Sequence, residues 1–153
     1  MAFTGNALCN TFKVGLPCGR FNFNTGTTDV YKVALYTNAA TLDVDTTGYT
    51  TTGEVTVTQF YAGGYVAGGA TLTVSQVPTV GAQTGSSAVA YFSFSDVTWV
   101  GAITARGALI YKFDGATNPA VCVLDFGSDK TSTTSFQLQF PAATSTSAII
   151  RIG

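Results

Sequence analysis

The stretch WVGAITARGALIYKFDGATNPAVCVLDFG, residues 99–127, decides the fold. Two apolar runs flank a turn-rich break. The first, residues 103–111, carries Ile103, Leu109, Ile110 and Tyr111; the second, residues 120–126, reads AVCVLDF. Between them Asp114, Gly115, Asn118 and Pro119 supply turn chemistry. This pattern predicts a β-hairpin with a loop of about six residues, not a tight two-residue turn. On the second strand strict alternation puts Val121, Val123 and Asp125 on one face and Cys122, Leu124 and Phe126 on the other. Apolar residues on both faces predict a strand covered on both sides, as in the middle of a sandwich.

The chain has 153 residues, a length that suits one domain with a sizeable core. Thr and Val are branched at Cβ and favour the pleated strand over the helix. Only 10% of residues are charged, His is absent, and the formal net charge is -1. That balance gives no electrostatic basis for binding nucleic acid or an acidic membrane surface. Few charges also mean little repulsion between copies, which suits dense packing against a second copy or a partner. No apolar run reaches the ~18 residues of a membrane helix. The start, MAFTGNALCN, lacks a basic segment followed by an apolar one, so a cytoplasmic chain is expected. Three cysteines, Cys9, Cys18 and Cys122, are an odd number and argue against a disulfide framework. Cys122 is expected to pack as a small hydrophobe, and Cys9 and Cys18 to remain unbridged.

Along the chain, Leu8, Phe12 and Leu16 repeat at a spacing of four and predict a short helix within residues 5–16. Thr4 or Asn6 would cap its start, and Gly15, Pro17 and Gly19 would end it; an extended arm is the competing reading. Residues 1–20 are therefore set apart as an arm or helix, and 21–153 as one β domain. Phe21 and Phe23 alternate with Asn22 and Asn24 as in a short strand. Residues 30–36 and 54–61 alternate clearly, and residues 37–53 between them read as a long exposed loop. Further strands are expected at 70–77, ended by Pro78, at 88–94 and 97–100, and, after a Ser/Thr loop at 128–135, at 136–140 and 148–152. Short strands at this spacing, with no βαβ alternation, predict an all-β antiparallel β-sandwich, with a jelly roll or barrel as variants.

Chemistry is sparse. Without His, neither a Ser-His-Asp nor a Cys-His site is available within one chain. Asp96, Asp125 and Asp129 offer carboxylates of the kind that hydrolyse glycosides, but such residues beside turns more often bond to local backbone. Residues 43–54, DVDTTGYTTTGE, match a calcium loop at Asp43, Asp45, Gly48 and Glu54, with Thr47 where Asp or Asn is usual. The flanks read as strands where that motif needs helices, so the expectation is a loop without metal. Phe3, Tyr49, Tyr61, Tyr65 and Trp99 are aromatics that serve as core or, in an exposed row, as a sugar-binding face. Arg106 sits in the middle of an apolar strand. It is expected to pair with Asp125 across the hairpin and so to fix its register.

KVALYT at 32–37, GYVAGGATLT at 64–73, and the run 97–140 with Trp99, ARGALIY and VLDFGSDKTS resemble small structural proteins of tailed bacteriophages. The matching blocks span most of the chain. The resemblance implies a non-enzymatic virion component of β-sandwich type, with no catalytic residue carried over and no cofactor. Its first implication is a capsid decoration (cement) protein on the outer shell, assembled in the bacterial cytoplasm. The implied partners are the major capsid protein and further copies of the chain, with a trimer favoured. A tail, neck or fibre component is the second, and a carbohydrate-binding module for the host surface a third from a different class. Pro17–Cys18 interrupts a segment that is more continuously helical in similar proteins.

Overall fold

The computed structural model describes residues 3–57, 61–81 and 88–153. In chain order the elements are β1 (Ala7–Leu8), α1 (Asn10–Gly15), β2 (Val30–Tyr36), β3 (Ala70–Leu72), β4 (Val74–Val80), β5 (Ala90–Phe94), β6 (Val97–Val100), β7 (Ile103–Phe113), β8 (Ala120–Ser132), β9 (Ser135–Leu138) and β10 (Ile150–Ile152). They form a five-stranded sheet ordered β1-β8-β7-β2-β3, a three-stranded sheet β10-β5-β4 and the pair β6-β9. Every pairing between these strands is antiparallel. The sheets do not close into a barrel, and the fold is an all-β sandwich.

The hairpin β7–β8 is the middle of the large sheet. Apolar residues alternate between two separate cores. Tyr31, Val33 and Leu35 of β2, Ala108 and Ile110 of β7, and Cys122 and Leu124 of β8 face the first, with Phe12, Phe23, Phe92, Phe94 and Trp99. Ala34, Tyr36, Leu109, Tyr111 and Val123 face the second, with Phe3, Cys9, Ala40 and Leu42. Val121 departs from the expected alternation and joins Cys122 in the first core. The register explains it: Ile110 pairs with Cys122 but Tyr111 pairs with Ala120, so Val121 is the extra residue of a β-bulge.

A sheet that is apolar on both faces needs two covers. Residues 37–53, expected as an exposed loop, provide part of the second. Ala40 and Leu42 are buried, Tyr49 packs beside them, and the loop is tied to the hairpin end through Ala120 N–H to Thr47 O and Tyr49 N–H to Asn118 O. The expected helix at 5–16 shrinks to α1, because Ala7–Leu8 are drawn onto the open edge of β8 opposite Val123 and Cys122. Its cap is neither Thr4 nor Asn6. Cys9 takes that position without a side-chain cap, while Asn6 Oδ1 accepts the amide of Asp125. Gly15 is the last residue of α1, and a Cβ there would meet the Phe21 ring at 2.3 Å, so the position requires glycine.

Other expected strands are corrected by competition for partners. Phe21 and Phe23 are buried, but their segment is no strand: Asn22 N–H goes to Asp29 Oδ2 and Asn24 N–H to Asn22 Oδ1. Phe23 instead stacks on Phe92 and Tyr31, with ring centroids 4.1 and 4.2 Å away. Of the strand expected at 54–61, residues 58–60 lie outside the described residues. The described start makes only a bridge between Glu54 and Tyr36 and a bond from Val55 N–H to Leu35 O. β2 already has β7 along one side and β3 on Tyr31–Val33 of the other, which leaves a short free edge. β4 runs through Pro78, where its register to β5 slips on an edge strand that has no ladder bond to lose there. β8 continues to Ser132 through a stretch expected as loop, after a wide bulge between the pairs Gly107–Asp125 and Ala105–Lys130.

Candidate functional site

The residues of the calcium-loop match do not converge. Asp43 Oδ1 accepts Asp45 N–H at 2.9 Å, and the Asp43 amide donates to Thr46 Oγ1 at 2.9 Å. Asp45 Oδ1 accepts Asn10 Nδ2 at 2.6 Å, and the Thr47 carbonyl accepts the Ala120 amide at 3.0 Å. The two Asp43 bonds are local turn bonds of the kind short polar side chains make, and the other two tie the loop to Asn10 and to the hairpin end. Glu54 turns the other way, into the protein, and is 7% exposed. Among the described residues no group of three or more His, Cys, Asp or Glu side chains gathers as a metal site.

Glu54 is instead the hub of a buried polar network. Its Oε1 accepts the Tyr65 hydroxyl and the Gly68 amide, both at 2.7 Å, and its Oε2 accepts the Tyr49 hydroxyl at 2.6 Å. Tyr65 Oη in turn accepts the Leu35 amide of β2 at 2.8 Å. Tyr111 donates to Gly68 O at 2.7 Å, and Tyr36 to Thr50 O at 2.7 Å. Burial, reinforced by the Glu54 charge, pushes the Tyr111 phenol up to about 12. Burial first and Glu54 second raise those of Tyr49 and Tyr65 further. The tyrosines stay neutral donors, and the carboxylate joins residues 49–54 and 65–68 to the sheet. The sequence carried one signal for this hub: a lone Glu opening the apolar alternation EVTVTQFY.

Arg106 and Asp125 are brought together. Arg106 Nη1 bonds Asp125 Oδ1, with the side chains 18% and 13% exposed. The guanidinium carbon lies 5.8 Å from the centroid of the Phe3 ring. Asp125 Oδ1 also accepts the Gly127 amide at 2.8 Å, across the bulge. Arg106 lies between the pairs Ala105–Lys130 and Gly107–Asp125, so the ion pair spans the point where the ladder is broken. Removing either partner should cost about 2–3 kcal/mol, between an exposed pair and a fully buried one. Asp125→Leu is expected to cost more than Arg106→Met, because it also removes the protein acceptor of the Gly127 amide. In urea unfolding the double variant should lose less than the sum of the two; additive losses would show the pair to be uncoupled.

A second ion pair was not anticipated. Lys112 Nζ lies 2.7 Å from Asp29 Oδ1 and donates to Arg20 O at 2.7 Å, and the Tyr31 hydroxyl reaches Asp29 Oδ2 at 3.3 Å. Burial works against ionisation of Asp29, but the Lys112 and Asn22 hydrogen bonds and the Lys112 charge outweigh it and hold the carboxyl below its usual range. Asp114 is held lower still, at about 2, by the backbone amides of Asn118 and Ala116. Both folded-state values are depressed, so their stabilisation is present above the ordinary carboxylate range and is lost as pH falls through the folded values. Stability should therefore fall from about pH 4 towards pH 2. Asp114→Asn should flatten that part of the pH–stability curve, measured by urea unfolding, and an unchanged slope would refute the assignment.

The remaining candidates are divided between the core, backbone bonds and the surface. Phe3, Tyr65 and Trp99 are buried, and Tyr61 is exposed. Asp96 Oδ1 accepts the Phe140 amide at 2.8 Å. The cysteines are free, with Cys9 and Cys122 buried and Cys18 exposed. Burial, and then Asp43, push the Cys9 thiol up to about 12. A groove of about 440 Å³ lies between the ends of β8 and β9, floored by Phe126, Phe136 and Leu138. Ser132 on its wall is already engaged, accepting the Ile103 amide and donating to Gly101 O. No helix among the described residues is long and apolar enough to cross a membrane. No protein-family model matches the chain, and neither does any curated protein or solved structure.

Proposed function

We propose that this chain is a non-enzymatic structural protein of a tailed-phage virion, a capsid decoration protein that binds the outer shell as a homo-oligomer. One observation supports this reading most. Of the eight acidic residues in the sequence, Asp29, Asp43, Asp45, Glu54, Asp96, Asp114 and Asp125 all accept hydrogen bonds from the chain itself. The carboxylates are spent on holding turns and loops in shape. A shell component needs such fastening, because its loops must hold one shape against a neighbour. The resemblance of residues 32–37, 64–73 and 97–140 to phage structural proteins points the same way, and the low charge favours close packing of copies.

The test is made on purified particles. A decoration protein is expected at a copy number comparable with that of the major capsid protein, with density on the outer face of the shell. A few copies per particle would move the assignment to the tail, neck or fibre. Absence from particles would overturn the virion reading. Native mass measurement of the free chain checks the oligomer, with a trimer expected and a monomer both free and bound contradicting it.

A further inference from the structure

We propose that the Asp114–Gly115 step is an aspartate-isomerisation site that Asn118 keeps closed in the folded protein. The reaction needs no partner other than water. The Gly115 amide nitrogen, losing its proton, attacks Cγ of the protonated Asp114 carboxyl. A C–N bond forms, a C–O bond breaks and one water leaves, giving a succinimide. Water then adds to either ring carbonyl. Opening at the side-chain carbonyl restores aspartate; opening at the main-chain carbonyl sends the backbone through the β-carboxyl as isoaspartate.

The sequence and the loop supply what that chemistry needs. Gly115 has no Cβ to shield its nitrogen, and the space where one would stand is empty to 4 Å. Residues 114–117 are exposed, so water has access. Both reacting groups are nevertheless engaged. The Gly115 amide donates to Asn118 Oδ1 at 3.2 Å, as does the Asp114 amide. Asp114 Oδ1 accepts the amides of Ala116 at 2.9 Å and Asn118 at 2.8 Å, and its Oδ2 accepts the Thr117 hydroxyl at 2.8 Å. Four contacts thus hold the nucleophile protonated and the carboxyl ionised, which is its unreactive form. Asn118 takes part in two of them, accepting the Gly115 amide and donating its own amide to Asp114, and adopts φ 44, a left-handed backbone that Asn tolerates better than most residues.

Isomerisation here would matter to the fold. It would add a backbone atom to the connection between β7 and β8. That connection is closed by Lys112 N–H to Pro119 O at 2.9 Å, and the Asn118 carbonyl holds residue 49 of the covering loop at 3.0 Å. The loop would be pushed off the hairpin end, so the step is a latent ageing point of the protein.

The experiment follows isoaspartate at position 114 in the full chain, at neutral pH and physiological temperature. The readouts are resistance to an endoprotease that cleaves before Asp and fragmentation mass spectrometry. Urea-unfolded protein should accumulate isoaspartate at least about tenfold faster than folded protein, the factor expected for a modest local-opening free energy. Asn118→Gly, which keeps the left-handed backbone, should speed the folded-state reaction several-fold. Asn118→Asp retains an acceptor oxygen and should stay near the parent rate. Equal rates in folded and unfolded protein would overturn the proposal without relying on any variant. A folded Asn118→Gly that isomerises no faster than the parent would overturn the role given to Asn118.

Discussion

Gly69→Ala is expected to lower stability by at least about 4 kcal/mol, the level reached only by a specific steric or burial fault. Gly69 has φ +71, and a Cβ built on it would lie 1.8 Å from Val33 O and 2.6 Å from the Val33 carbonyl carbon. The obstacle is backbone in the centre of the large sheet, where Val33 pairs with Ala70 on one side and Ile110 on the other. It cannot swing aside as a side chain can. Relief would have to move β2, or break the turn that Gly69 N–H closes on Val66 O at 2.8 Å. Gly26→Ala is the control. Its φ is +76, but nothing lies within 4 Å of the added Cβ, so it should cost only the ~1 kcal/mol of a left-handed alanine. For a chain of this size the difference is a gap of roughly 6–12 °C in Tm. Equal losses in the two variants would show that φ alone, and not the approach to β2, requires the glycine.

The central hairpin was legible because its signal is local. Apolar runs and turn residues lie within one window, and the loop Asp114, Gly115, Asn118, Pro119 closes where the turn chemistry placed it. The register within that hairpin was not legible. Period-two counting cannot see that Val121 is the extra residue of a bulge, nor that a wide bulge separates Asp125 from Lys130. The strands expected at 21–24 and 54–61 show a different limit. Their patterns suit a sheet, but a strand also needs a free edge, and that depends on which other segments pair there. Phe21 and Phe23 gave up ladder bonds for ring packing. Among the described residues, the edge left on β2 takes residues 54 and 55 of that segment.

The site divides in the same way. Arg106 and Asp125 could be paired from sequence, because a charge amid apolar residues on one hairpin strand has few places to find its partner. The polar residues 37–53 were misleading, since high Thr and Asp content reads as solvated loop. In fact Ala40 and Leu42 carry the burial while the threonines satisfy backbone within the turns. Glu54 matched the last position of a calcium loop, yet its partners Tyr65 and Gly68 come from a segment more than ten residues away. Tertiary packing alone joins them.

Glu54→Ala should therefore cost about 3–4 kcal/mol, from buried donors left without an acceptor at ~1–3 kcal/mol each. The Gly68 amide loses its partner outright. The Tyr65 hydroxyl has a fallback in Leu35 O, at 3.4 Å, and Tyr49 is partly exposed, so neither contributes its full share. Glu54→Gln keeps one carbonyl oxygen for Tyr65 and Gly68. Its amide then faces the Tyr49 hydroxyl, which can rotate to accept, and the loss should be about 1–2 kcal/mol. Tyr65→Phe should cost more than Tyr49→Phe, because Tyr65 Oη also accepts the Leu35 amide within β2. The order Glu54→Ala, Tyr65→Phe, Tyr49→Phe in urea unfolding identifies a carboxylate that clamps loops to a sheet. Calcium provides the opposing outcome. A ligand that binds only the folded state raises Tm with concentration. Here the Glu54 carboxylate is occupied by three donors and is turned away from Asp43 and Asp45. Millimolar calcium should leave the Tm of the parent protein unchanged, about the weak end for such loops. A calcium-dependent rise abolished by both Asp43→Ala and Glu54→Gln would instead make residues 43–54 a metal site and refute the clamp.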